Sequence, residues 1–198
     1  VNLFASSIVV ITGTFIINTD ILMHTSIFDL ATISAGLLVV RLVVGLLMAA
    51  HGSQKLLGWF GGHGIAGTGM FLESIGFRPG RFFAVLASVT EVVSGILVAL
   101  GLFGPIGPAL MLSVMIVAAV SVHWKNGVFA QANGIEVPLF YGTAAVALAL
   151  TGFGSYSLDS LLGLQSLYTP ALSLAALAVG LIGGVGNLLA RRPAVAVA

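Results

Sequence analysis

The sequence predicts an all-α fold: an integral membrane four-helix bundle with an additional C-terminal transmembrane helix. Three observations predict it. Of 198 residues, 59% are hydrophobic and only 7% are charged, against about 25% charged in a soluble domain. The apolar residues fall in runs of the length that crosses a bilayer, about 20 residues each. The ten-residue alternation of a membrane β-barrel is absent, and helices satisfy their own backbone amides where lipid offers no partner.

The expected spans are 33–50, 82–103, 106–123, 137–153 and 170–190. Gly104, Pro105, Gly107 and Pro108 predict a tight turn between the second and third, hence an antiparallel hairpin. Pro138 and Pro170 stand near the starts of the fourth and fifth, where a missing amide donor matters least. Residues 1–28 form an N-terminal extension of uncertain role, and residues 29–198 form the bundle. Within the extension, Leu3 to Ile17 is apolar but short, and Asn18, Thr19 and Asp20 interrupt it. Either an extra helix lies there or Met23 is the start, since no basic stretch marks a secretory signal.

Cations set the expected orientation. Lys55, Arg78 and Arg81 follow the first span, Lys125 follows the third, and Arg191 and Arg192 follow the fifth. Five spans bring these to one side and leave Asp20, Asp29 and Asp159 on the other. The positive-inside rule then places the N-terminus outside and the C-terminus in the cytoplasm of a multi-pass membrane protein.

Two ions fall inside spans. Arg41 lies about nine residues before the end of the first span, and Glu91 about nine after the start of the second. Both depths are roughly 13 Å at 1.5 Å per residue. A lone charge there is unfavourable by at least ~2.5–3.5 kcal/mol. We therefore expect an Arg41–Glu91 pair facing the bundle interior, either a plain register lock or part of a ligand site. Ser88, Ser94 and Gly95 near Glu91 suit close helix approach.

Between the first two spans runs HGSQKLLGWFGGHGIAGTGMFLESIGFRPG, residues 51–80. Its letters include GxGxxG at 62–67, but a dinucleotide site needs a preceding strand and a βαβ unit, so no nucleotide is expected. The glycines are expected to turn the backbone sharply. A short surface helix is expected over 70–76, ended by Gly76. His51 and Lys55, four apart, share a helix face, and Arg41, Met48 and Lys55 follow heptad spacing. Trp59 and Phe60 suit a membrane interface. After the third span come His123, Trp124 and Lys125, then Glu136 before Pro138. His51, Lys55, Trp59, Glu73, His123 and Glu136 are thus expected to meet in one cytoplasmic-side pocket for a ligand headgroup or a partner. Histidines exchange protons near neutral pH, which would suit a quinone. The plainer reading is a solvated rim whose histidines cap helices.

Other chemistry is narrowed by composition. With no cysteine there is no thiol, disulfide or thiolate metal site. The histidines lack metal-ligand spacing, so no metal is expected. A net charge of +1 argues against nucleic acid. Gly180 and Gly184 form a GxxxG pair for close packing or a homo-oligomer contact.

The stretch at 51–80, then Glu91 with GILVALGLFGP, then VHWKNGVFAQANGIEVPL resembles the DoxX family over about residues 37–162. Arg41 and the H-G-x-x-K-L-x-G-W-F-G-G signature are included. The resemblance implies a four-helix membrane bundle, with residues 1–28 and the fifth span outside it. It also implies a setting. Some relatives are membrane subunits of a thiosulfate:quinone oxidoreductase. Actinobacterial forms are linked to an assembly with a superoxide dismutase and a thiosulfate sulfurtransferase, although most members have no demonstrated activity. Three functions follow as expectations: a membrane subunit or docking platform of a quinone-linked oxidoreductase, with a soluble oxidoreductase or sulfurtransferase as partner; a noncatalytic scaffold; or a small-molecule or lipid transporter.

Overall fold

The computed structural model describes residues 19–192, with side chains from residue 30 onward. The expectations for residues 1–18 and for the side chains of Asp20, Met23 and Asp29 lie outside the described residues. The helices are α1 (Thr19–Leu57), α2 (Gly64–Ser74), α3 (Gly80–Leu100), α4 (Ile106–Ala118), α5 (Glu136–Thr151), α6 (Leu158–Leu161) and α7 (Pro170–Leu189). Among the described residues, four segments are long and apolar enough to cross a membrane: Leu30–Leu57, Gly80–Leu100, Ile106–Asn126 and Pro170–Leu189. The third continues α4 through a π-turn, Ala119–His123, and a 3-10 turn, Trp124–Asn126. α5 is apolar but has 16 residues, about 24 Å at 1.5 Å per residue.

α1 outlasts its apolar run. The sequence predicts an end at residue 50, yet the helix continues through His51, Gly52, Ser53, Gln54 and Lys55 to Leu57. Ser53 Oγ donates to the Ala49 carbonyl at 2.8 Å, so this polar group is satisfied within the helix. Gly52 is pressed against α3: a Cβ there would sit 2.7 Å from the Ser88 carbonyl oxygen.

The same device fixes the α1–α3 register. A Cβ on Gly45 would lie 2.5 Å from Ala99 N, and one on Gly95 would lie 2.5 Å from Ala49 N. Small residues bring the backbones together, and in lipid such close packing replaces the hydrophobic drive between helices. α3 ends in a Schellman motif: Gly101 N–H donates to Val98 O at 3.1 Å and Leu102 N–H to Leu97 O at 3.0 Å. Gly101 has the positive φ of 65° that this cap uses. The expected turn and antiparallel α3–α4 hairpin follow. α7 lies on α4 through the GxxxG pair, with Gly180 against Ala109 and Gly184 against Ser113 and Ile116. Both glycines of the pair thus pack within the chain.

The glycine-rich segment turns as expected. Gly58, Gly61 and Gly64 have φ of 76°, 77° and 62°, and Gly62 folds back onto Gln54. α2 is longer than expected, beginning at Gly64 within the GxGxxG letters. Gly76, at φ 101°, follows its end, with Phe77 N–H donating to Leu72 O at 2.9 Å.

Met48, Val98, Met111, Leu148 and Phe153 form the buried core where α1, α3, α4 and α5 meet. The ends of α1 and α4, the starts of α3 and α5 and the end of α7 make one rim. The other holds α6 and the turns at 101–105 and 152–157.

Candidate functional site

Glu91 is 1% exposed, and its Oε1 accepts from Lys55 Nζ in an ion pair across α1 and α3. The expected Arg41–Glu91 pair does not form. Because α1 runs on to Leu57, and Gly52 rather than Arg41 meets α3 near Glu91, Arg41 lies about eleven residues, roughly 16 Å, further along the bundle. Lys55 reaches Glu91 from one turn beyond Gly52, its side chain still 38% exposed. The heptad alignment of Arg41, Met48 and Lys55 does hold: Arg41 and Met48 are fully buried and Lys55 points to Glu91.

Glu91 Oε2 is buried without a hydrogen-bond partner. The nearby serines do not supply one, since Ser88 Oγ donates to Ala84 O at 2.5 Å and Ser94 Oγ to Glu91 O at 3.1 Å. Tyr141 of α5 lies within electrostatic reach of the carboxylate. Its ring meets His51 edge-on, with centroids 6.0 Å apart. His51 Nδ1 is 3.2 Å from Gln54 Oε1. Lys55, Glu91, Tyr141 and His51 thus cluster where α1, α3 and α5 meet near the rim. Sequence reasoning missed Tyr141. A tyrosine early in an apolar helix signals only interfacial placement, and its inward direction depends on how α5 packs.

The other predicted rim residues are held locally rather than gathered in one pocket. Glu73 Oε2 accepts from Gly80 N–H at 3.2 Å at the start of α3. His123 Nδ1 is 2.8 Å from Asn133 O, and Glu136 Oε2 accepts from Ala130 N–H at 2.6 Å. Both fasten the loop between α4 and α5, so each engages its polar atoms with backbone nearby. Trp59 is exposed, beside Phe60. Among the described residues no three His, Asp or Glu side chains gather as a metal-ligand set.

Arg41 belongs to a second node at the opposite end. One guanidinium nitrogen donates to the Tyr156 carbonyl, and its carbon lies 5.6 Å from the Phe153 ring centroid. Gly101 sits directly against Nη1, while Nε and Nη1 have no partner. Asp159, 2% exposed, lies within its field and accepts from Phe103 N–H at 2.9 Å and Gly104 N–H at 2.7 Å. Arg41 and Asp159 therefore knit the two turns at this end to α1. A cavity of about 380 Å³ opens beside Asp159, lined by Ser34, Phe153, Gln165 and Tyr168. Burial, and then Asp159, push the Tyr168 phenol above its usual range.

Similarity to known proteins matches this architecture. A sequence profile of the DoxX family fits residues 36–124. The inner membrane protein YphA of Escherichia coli (strain K12) is 30% identical over 128 residues, covering 62% of this chain and 87% of that relative. The chain belongs to the DoxX family. The family match takes in Arg41, Lys55 and Glu91, while α5 to α7 lie beyond it. Within this DoxX bundle, Tyr141 and Asp159 come from the part outside the profile, so both nodes join matched and unmatched segments. No solved structure matches the chain.

Proposed function

We propose that this DoxX-family chain is a membrane subunit or docking platform of a quinone-linked oxidoreductase, with the headgroup site at Lys55, Glu91, Tyr141 and His51. The observation that carries this reading is the Glu91 carboxylate, buried and paired on one oxygen, with the other oxygen unpartnered. An unmet buried acceptor is unfavourable, and a hydroxyl or protonated ligand would satisfy it. Lys55 supplies the countercharge, His51 sets an imidazole at the rim against the Tyr141 ring, and Tyr141 brings a hydroxyl into the field of the carboxylate. A quinone would supply the two-electron, two-proton chemistry. The chain's own residues bind, orient and move protons at Glu91 Oε2 and His51.

With no cysteine in the chain, electrons would come from a bound cofactor or a partner. Trp59, Glu73, His123 and Glu136 lie on elements of the same rim and would form the surface on which a soluble oxidoreductase or sulfurtransferase docks. We read this rim as the cytoplasmic one, since its basic residues fit the positive-inside rule, in a multi-pass protein of a bacterial inner membrane.

Gentle extraction followed by mass analysis for quinone tests the site, together with Glu91→Gln, His51→Ala and Tyr141→Phe. Quinone present in the wild type and depleted in Glu91→Gln supports the assignment. Unchanged quinone in all three variants removes it. A second reading, a noncatalytic platform, is favoured by the local hydrogen bonds of Glu73, His123 and Glu136. In that case no quinone copurifies, yet crosslinking from Lys55 and Lys125 captures an oxidoreductase or sulfurtransferase.

A further inference from the structure

α3 and α7 both pack on α4 but diverge from each other, leaving a narrow groove over its outer face. The groove has a volume of about 220 Å³, with Phe83 and Ala87 on one wall, Leu110 and Val117 on its floor and Asn187 on the other wall. Of its three polar side chains, two are engaged within their own helices: Thr90 Oγ1 donates to Leu86 O at 2.7 Å and Asn187 Nδ2 to Gly183 O at 2.8 Å, while the Ser113 hydroxyl sits beside Gly183. The walls therefore suit hydrocarbon, and the groove lies on helices that cross the membrane.

At the rim the groove is closed by the end of α7 meeting the α2–α3 turn. Arg192 N–H donates to Gly76 O at 2.8 Å, and Arg191 Nε donates to Ile75 O. Phe77, which lines the groove, is followed directly by Arg78. Arg78, Arg191 and Arg192 are exposed and form no ion pair among the described residues. The acid on this turn, Glu73, is engaged by Gly80 N–H. Three arginines without an acidic partner thus lie on the segments that close the slot.

We infer that this groove is a binding site for an anionic phospholipid, with an acyl chain between α3 and α7 and the phosphate at Arg78, Arg191 and Arg192. Charge complementarity selects the occupant: a neutral lipid would leave the arginines unmatched, and a basic residue near a membrane surface contributes about fivefold in affinity for an anionic one. The site is separate from the Lys55–Glu91 node and does not rest on the quinone reading.

Native mass spectrometry of the full chain in detergent, with added phosphatidylglycerol or phosphatidylcholine of equal chain length, tests it. Phosphatidylglycerol should be retained in preference. Arg78→Gln should weaken retention about fivefold and the Arg78→Gln/Arg191→Gln/Arg192→Gln triple variant considerably more. Ala87→Phe, which fills the slot, should weaken it as well, and Lys125→Gln should not. Equal retention of the two lipids overturns the inference, as does retention insensitive to Ala87→Phe or lost equally with Lys125→Gln. Displacement by inorganic phosphate alone would make the site one for a soluble anion. Conversion of a dimer to a monomer by Ala87→Phe would make the groove an interface between copies. Either result also overturns it. Arg78 takes no part in the α7 contact, so Arg78→Gln remains informative if the triple variant misfolds.

Discussion

Lys55 carries the countercharge of Glu91: its ammonium reaches from the last turn of α1 to a carboxylate that is 1% exposed. Removing one partner of a buried pair is unfavourable by about 3–5 kcal/mol, because the other charge is stranded. Lys55 is itself partly exposed, so Lys55→Met should lower stability by about 2–3 kcal/mol. Lys55→Met/Glu91→Leu should recover much of that loss. Thermal unfolding in detergent for the double-mutant cycle measures it, and additive losses would show that the pair is not coupled.

Arg41 works at the other end, through Tyr156 and the field of Asp159. Arg41→Met should destabilise by about 2–4 kcal/mol, as it strands Asp159 and loosens both turns. Asp159→Asn should be milder, because an amide oxygen can still accept from one of the two turn N–H groups. Neither change should alter quinone content in the extracted protein. A loss of quinone in Arg41→Met at temperatures where it remains folded would tie the two nodes together.

Glycines divide by what they touch. Gly45→Val and Gly95→Val place side chains into the facing backbone and should cost more than about 3 kcal/mol or prevent assembly of the bundle. At Gly36 and Gly186 an added methyl group would meet nothing within 4 Å. Gly36→Ala and Gly186→Ala should be neutral or stabilising by up to about 1 kcal/mol. Unfolding midpoints of the four variants, measured side by side, check the contrast.

Tyr168 gives a pH signature. Its ring lies against Gly104, and burial together with Asp159 raises its phenol above the ordinary value, which is about 10. The folded state holds this proton more tightly than the unfolded one. Its contribution is complete below the ordinary phenol range and lost as pH climbs through the raised folded value. Tyr168→Phe should flatten the alkaline loss of stability, and ultraviolet titration of the variant should lack one late-ionising phenol that the wild type shows.

Much of the fold was legible because lipid simplifies the rules. Apolar run length located α3, α4, α5 and α7 to within a few residues, though not the ends of α1 or the start of α2; Gly104 and Pro105 marked the hairpin, and the burial of Arg41 and Glu91 followed from the difficulty of exposing a charge to hydrocarbon. Partner choice was not legible. It depended on α1 continuing past its apolar run as far as Leu57, which moved the register and exchanged Arg41 for Lys55. The rim pocket failed for a related reason: His123 and Glu136 stand near backbone groups of their own loop, and local bonds form before distant ones. Asp159 was counted only for its sign, since nothing in the sequence announces that two turn amides will point at it.

Between the two charged nodes stands the apolar core of Met48, Val98, Met111, Leu148 and Phe153. Among the described residues no polar chain bridges it, so the bundle behaves as an insulator with a separate electrode at each end. Changes made at the Lys55 end should therefore leave the contacts of Arg41 and Asp159 in place, and changes at the Arg41 end should leave the Lys55–Glu91 pair in place.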